Sequence, residues 1–344
     1  MFMNLDNQCY FILRVIVLIS CLKNGLADKK CNKIIIDTDA GGDDAVAIAQ
    51  LILANQIDSP PTEILGITCV AGNTKVENVV VNVLKILRVL NATDIPVFMG
   101  ANRPLLRNFT FDFFYGQDGL GDVNFPNPPT IFDVQNKSGV NALVDITSQY
   151  PGEVTVIALG PLTNIALASR ISPDFRSNLK NLHVLGGILD ETGTAPNGAE
   201  FNFYFDPEAA FTVFNDTTSQ IKPVIQLTTD VKYTEMIPLE WRWNTLAKID
   251  SPIIKFFNEI DKKVWQSSRV KYYIPFDGFV AAAFISSDVV VSTERYCEEV
   301  LYCGEDNYGK VIVKNDSTCY QNANVIREID TKVFMNLLIN LFSI

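Results

Sequence analysis

Short apolar, β-branched runs recur along this chain, each followed by a stretch whose apolar positions repeat every three or four residues. "KIIID" precedes "DDAVAIAQLILA", "ILGITCVAG" precedes "VENVVVNVLKILRVL", and "VTVIALG" precedes "LTNIALAS"; "LHVLGGI" and "KPVIQLTTD" extend the series. This alternation is what strands joined by crossover helices produce, and short all-apolar runs suit strands covered on both faces. The expected fold is α/β: a single-domain, Rossmann-like, largely parallel sheet with helices on both faces. No repeat, low-complexity tract or linker divides the chain. Residues 103–132, rich in proline and phenylalanine, read as a long irregular excursion of the sort that often carries function.

Composition narrows the partners. With 344 residues and 48% hydrophobic content, the chain can bury a large core. A formal charge of -11, with no lysine or arginine cluster, argues against nucleic acid and anionic lipid surfaces. The opening residues differ from the rest: "CYFILRVIVLISCL" (9–22) is too short for a convincing membrane span, and "GLA" (25–27) offers small residues ahead of a cut. This predicts a signal peptide over 1–27, a catalytic domain over 28–344, and a secreted, extracellular product with no membrane contact after cleavage. An uncleaved anchor is the alternative, because Arg14 interrupts the apolar run and no positive charge precedes it. Glycosylation triplets at Asn91, Asn108, Asn136, Asn215 and Asn315 agree with secretion. Cys31, Cys297, Cys303 and Cys319 are then expected to form two disulfides, while Cys69, inside an apolar run, reads as a buried free thiol. No Cys/His spacing supports zinc. The oligomeric state is open, a homo-oligomer included.

The densest chemistry lies in "IIIDTDAGGDDAVAIAQLILA", residues 34–54, where Asp37, Asp39, Asp43 and Asp44 fall within eight positions at the end of a predicted strand. Loops beyond the carboxyl ends of parallel strands are where ligands gather. Asp37 and Asp39, two apart, are expected to point the same way, and Asp43 and Asp44 to begin the next helix. Helix capping accounts for one or two acids there. Four repel one another unless a cation compensates, and an all-oxygen donor set suits Ca²⁺ or Mg²⁺. Such a site serves either phosphoryl transfer, with Asp37 as nucleophile, or activation of water.

Further along, Asn73 follows the second strand, a Gly-Pro turn follows "VIAL", Glu200 and Asn202 stand two apart in "GAEFNFYFDPEAA", and Asp277 opens "DGFVAAAF". Singly these read as a turn former, a solvated charge and a helix cap. Together and in this order, from about residue 33 to about residue 290, the chain resembles the nucleoside hydrolase family, the inosine-uridine type of nucleoside N-ribohydrolase. Its D-x-D-x-G-x-D-D opening is matched by Asp37, Asp39, Gly41, Asp43 and Asp44. The resemblance implies one Ca²⁺ held by Asp39, Asp44, Asp277 and the main-chain oxygen of Leu159. It implies that water is activated by Asp39 together with the metal, Asp39 being the general base. Asp43, Asn73, Glu200, Asn202 and Asp277 would hold the ribose hydroxyls. Thr194, where the family carries asparagine, would face the ribose 5′ end, with Asn197 nearby.

Departures from the family bear on the leaving group. Phe276 and Tyr115 occupy the places of two histidines that several members carry, and the lone histidine, His183, sits in a buried-strand pattern. Without imidazole, departure of the base relies on purine N7, whose protonated form aromatic rings favour. The expected substrates are therefore purine ribonucleosides, with Tyr115, Phe276, Trp241 and Trp243 as candidates for stacking on the base. Ala40 replaces the family's proline. The competing readings are a catalytically inactive nucleoside-binding protein and a Mg²⁺-dependent phosphohydrolase.

Overall fold

A computed structural model describes residues 31–57, 61–190, 192–215, 221–265, 271–314 and 319–344, the side chains at 263 and 265 excepted. The signal peptide expected over 1–27 and the Asn315 triplet lie outside the described residues. The strands are β1 (Asn32–Thr38), β2 (Thr62–Cys69), β3 (Val97–Met99), β4 (Val154–Ala158), β5 (Leu179–Leu185), β6 (Val224–Tyr233), β7 (Val290–Tyr296), β8 (Glu298–Val300), β9 (Val311–Val313) and β10 (Ala323–Ile329). Eight of them form one sheet in the order β3-β2-β1-β4-β5-β6-β10-β7, parallel except for β7, while β8 and β9 pair as an antiparallel ribbon. The helices are α1 (Gly42–Leu53), α2 (Val76–Val89), α3 (Gly139–Gln149), α4 (Thr163–Ile171), α5 (Phe201–Phe205), α6 (Pro207–Phe214), α7 (Leu239–Asn244), α8 (Pro252–Trp265), α9 (Phe276–Ile285) and α10 (Thr331–Phe342). The expected single α/β domain is present.

The triplet Ile34-Ile35-Ile36 shows how the apolar runs build three layers. All three side chains are buried, but strand periodicity sends them to opposite faces. Ile34 and Ile36 join the core under α1, α2, α8, α9 and α10. Ile35 joins the core beneath α3, α4 and α6. Strand order runs one way from β1 through β2 to β3 and the other way from β4 through β5 to β6, so the switch point falls between β1 and β4. Crevices beyond the strand ends at such a point are where α/β sheets bind ligands.

Two local features differ from expectation. The strand β1 ends at Thr38, and Ala40 has φ of +46°, a left-handed conformation that the proline ring cannot reach. Asp37 and Asp39, expected to point the same way, do not share one environment: Asp37 is bound within the sheet and Asp39 lines a cavity. Cys297 and Cys319 are bridged, with Cα atoms 6.0 Å apart, but Cys303 is an exposed free thiol. Cys303 therefore takes no part in the second bridge expected among these four cysteines, whereas Cys31 is itself disulfide-bonded. Cys69 is buried and free, as its sequence context implies. The described part of the 103–132 excursion holds no strand or helix before a short turn at Ile131–Asp133.

Candidate active site

At the switch point the acids converge. Carboxylate oxygens of Asp43, Asp44 and Asp277 all lie within 4.8 Å of one another. Asp39 adjoins them, and its proton affinity is raised by burial first and by Asp44 second. Burial likewise pushes Asp44 up to about 6 and Asp277 well above the usual carboxylate range, with Asp43 adding to each. That is the expected response of crowded carboxylates with no countercharge. Asp43 stands in the acid cluster and also lines the cavity above it, a place from which the ribose contact implied by the resemblance is within reach.

Each acid is held by local design. Asp44 accepts the Thr38 hydroxyl at 2.5 Å, the Gly41 N–H at 2.9 Å and the Asn73 amide at 3.4 Å, so a helix-capping acid is also a cluster member. Asp39 accepts the Asn73 main-chain N–H at 2.7 Å. Its carboxylate fits because two neighbours lack side chains: a Cβ on Gly72 would come within 2.1 Å of Asp39 Oδ2, and one on Gly160 within 2.7 Å of Oδ1. Tyr115 donates its hydroxyl to Asp43 Oδ1 at 2.7 Å. Asp277 Oδ1, buried at the start of α9, has no hydrogen-bond donor among the described residues. An all-oxygen set with an orphaned buried carboxylate oxygen has the donor chemistry that suits a hard cation.

Asp37 plays another part. Its Oδ2 accepts the Thr68 hydroxyl at 2.5 Å and the Asn164 amide at 2.8 Å, and burial lifts it to about 7. It does not line the cavity above the cluster. The nucleophile of the phosphohydrolase reading is thus turned into the sheet, tying β1 to β2 and α4.

That cavity, of about 330 Å³, gathers most of the residues singled out from sequence: Asp39, Asp43, Asn73, Tyr115, Leu159, Thr194, Glu200, Asn202, Phe276 and Asp277. Glu200 caps α5, accepting N–H groups from Asn202 at 2.8 Å, Phe203 at 3.0 Å and, across the loop, Gly187 at 3.0 Å. Burial still raises it to about 7. Asn202 donates to the Leu159 carbonyl at 2.7 Å, and that oxygen keeps a second lone pair. Asn197 is spent elsewhere, its amide donating to the Tyr308 carbonyl at 2.8 Å.

Trp241 and Trp243 do not line the cavity. They lie within α7, Trp241 beside Tyr273 and Trp243 beside the Arg242 guanidinium. Arg242 is fully buried and bound to Asp261 at 2.8 Å, so these tryptophans pack around a structural ion pair. His183 is also remote, edge-on to Phe284 in β5, and burial lowers it to about 4. The sequence reading missed Asp112 and Phe114, which the irregular excursion contributes to the cavity, and Thr38, whose place between two aspartates was the available signal.

A mostly parallel α/β sheet with buried carboxylates and amides gathered at its switch point defines an enzyme of the nucleoside-hydrolysing class. Residues 34–336 match the family described as "Inosine-uridine preferring nucleoside hydrolase", and the chain belongs to that family. Uridine nucleosidase 1 of Arabidopsis thaliana is 37% identical over 242 residues, 69% of this chain and 70% of that protein. The inosine-uridine preferring nucleoside hydrolase of Crithidia fasciculata is 30% identical over 315 residues, 90% of this chain and 96% of that protein. Among solved structures, an inosine-guanosine nucleoside hydrolase superposes with a TM-score of 0.81 at 28% identity, covering 90% of this chain and 98% of that one.

Proposed function

We propose that this protein is a secreted, Ca²⁺-dependent hydrolase of the N-glycosidic bond of ribonucleosides, favouring purine ribonucleosides and releasing free base and ribose. The observation that carries this reading is the convergence of Asp39, Asp43, Asp44 and Asp277 beneath a cavity that also presents Asn73, Glu200 and Asn202. Asp39, Asp43, Asp44, Asp277 and the Leu159 carbonyl fit a hard cation, their oxygens being the only donor type and one of them unpartnered. Bound there, Ca²⁺ supplies positive charge that favours ionisation of water and grips vicinal hydroxyls.

The chain's own residues do the rest. Asp39, fixed by Asn73 and wedged between two glycines, is placed to take a proton from the attacking water. Asp43, Asn73, Glu200, Asn202 and Asp277, all lining the cavity, hold the ribose hydroxyls. Fixed carboxylates stabilise the oxocarbenium-like sugar more than the neutral substrate, which is the condition for lowering the barrier. Buried polar groups left unpaired by a missing hydroxyl make 2′-deoxyribosides poor substrates. His183 does not line the cavity and packs against Phe284, so imidazole does not protonate the base. Phe114, Tyr115 and Phe276 line the cavity with aromatic surface suited to a purine.

Secretion is supported by the Cys297–Cys319 bridge and by the exposure of Asn91, Asn108, Asn136 and Asn215. A second reading, uridine as the favoured substrate, is supported by the likeness to the Arabidopsis uridine nucleosidase. The test incubates the protein with inosine, adenosine, uridine and 2′-deoxyinosine, with and without chelator, and measures free base and reducing sugar. Phosphate-independent base release that is fastest with inosine or adenosine and lost with chelator is expected. Faster uridine turnover overturns the purine preference, and nucleoside binding without any turnover overturns the enzymatic reading.

A further inference from the structure

We propose that this site acts most readily on ribosides whose base already carries a fixed positive charge, N7-alkylated purine and pyridinium ribosides being the chemical class. The inference rests on the N-ribohydrolase reading above and specifies its leaving group.

Breaking a ribosyl C–N bond leaves an electron pair on the departing nitrogen. A neutral purine accommodates that pair once N7 is protonated; a cationic base accommodates it by losing its own formal charge. The cavity is poorly equipped for the first route. It has no lining lysine, arginine or histidine among the described residues. The Tyr115 hydroxyl proton is committed to Asp43. Both Glu200 carboxylate oxygens are occupied as acceptors of main-chain N–H groups, which oppose the rise that burial causes and hold the group against the loop and α5. Asp39, Asp43, Asp44 and Asp277 belong to the acid cluster at the floor.

It is well equipped for the second. Asp39, Asp43, Asp112, Glu200 and Asp277 line the cavity, and Asp44 adjoins the cluster, so a bound divalent ion offsets only part of the acidic charge. At the exposed rim the excursion supplies a carboxylate and an aromatic ring side by side: Asp112 accepts the Phe114 N–H at 3.0 Å, and Phe114 is 53% exposed. Half-buried Phe276 adds a second ring. Aromatic faces and a fixed carboxylate together attract a cation more than a neutral ring of the same shape.

The reaction balances without any added acid. The C1′–N bond breaks and its electron pair neutralises the base. Water forms the new C1′–O bond, and its proton passes to Asp39 and then to solvent. The products are ribose, neutral base and one proton.

The test compares single-turnover rates for inosine and 7-methylinosine, and for uridine and a pyridinium riboside, by base release in the Ca²⁺-supplemented protein. A protein that donates no proton to the base preserves the cation-to-neutral rate ratio of uncatalysed hydrolysis; one that does donate compresses it. The expected ratio equals or exceeds the uncatalysed one, with the pyridinium riboside's rate flat with pH across the range where the neutral inosine rate falls. In the Asp112→Asn variant the ratio of kcat/KM for 7-methylinosine over inosine drops about fivefold, as loss of one partly screened charge implies. Inosine 5′-monophosphate is expected neither to be hydrolysed nor to compete. Inosine turnover with a compressed ratio overturns this proposal while leaving the N-ribohydrolase reading intact; no base release from any riboside removes both.

Discussion

Replacing Gly72 by alanine tests the assignment of Asp39 without touching Asp39. The new methyl group would stand 2.1 Å from Asp39 Oδ2 and 2.8 Å from its Cβ. Restoring an ordinary contact of 3.4 Å moves the carboxylate oxygen by about 1.3 Å, which breaks its 2.7 Å bond from the Asn73 N–H. A catalytic group displaced by ~1 Å loses on the order of 10²-fold in rate. Overpacking of a buried site costs about 1–3 kcal/mol of stability, which a domain of this size tolerates. The expected result is therefore kcat for inosine reduced about 100-fold, with a cooperative melt shifted by only a few degrees. Combining Gly72→Ala with Asp39→Asn should cost little more than Asp39→Asn alone, because both act through one carboxylate. Activity within threefold of the parent, with the fold intact, refutes Asp39 as the base.

Ca²⁺ at 100 times its dissociation constant stabilises the native state by about 2.7 kcal/mol, so the melting temperature rises with the ion and returns on chelation; a melt indifferent to both removes the cation site. Glu298, buried in β8 and pushed up to about 8 from 4.5 chiefly by desolvation, makes stability depend on pH. Its folded form holds the proton more tightly, so its contribution is intact below about 4.5 and is lost as pH rises through about 8. Denaturant titrations should show Glu298→Gln matching the parent near pH 4 and exceeding it increasingly towards pH 8; a constant difference contradicts the assignment. Arg242→Met removes the guanidinium that faces the buried Asp261 carboxylate and should cost about 3–5 kcal/mol by urea denaturation. Its kcat should stay near that of the parent, since neither residue lines the cavity; loss of kcat in a folded variant reopens a catalytic role for α7.

The strands were legible because their apolar runs have little alternative to burial on both faces, and Ile34 to Ile36 divide between two cores as that pattern requires. The acid cluster was legible through charge density alone, since four aspartates at a strand end exceed what a helix cap uses. Direction was not. Asp37 and Asp39 look equivalent in sequence, yet Asp37 is held within the sheet by Thr68 and Asn164 while Asp39 lines the cavity. Trp241 and Trp243 look like base platforms until Arg242, a full charge inside the core, is seen to organise them. Tyr115 shows the same gap: its type announces an aromatic surface, but its hydroxyl bond to Asp43 depends on a loop path that periodicity does not encode.

Asp277 reaches the cluster on α9, which lies against α1, and Gln50 donates to the Gly278 carbonyl at 3.1 Å across 228 residues of chain. The workshop and its last tool thus arrive at different times during synthesis. A growing polypeptide that has already made Asp39, Asp43 and Asp44 has only half a site until the later helix docks. A copy that stalls before that event lacks Asp277 beside Asp43 and Asp44, so the assembled cluster belongs only to molecules whose two halves have met.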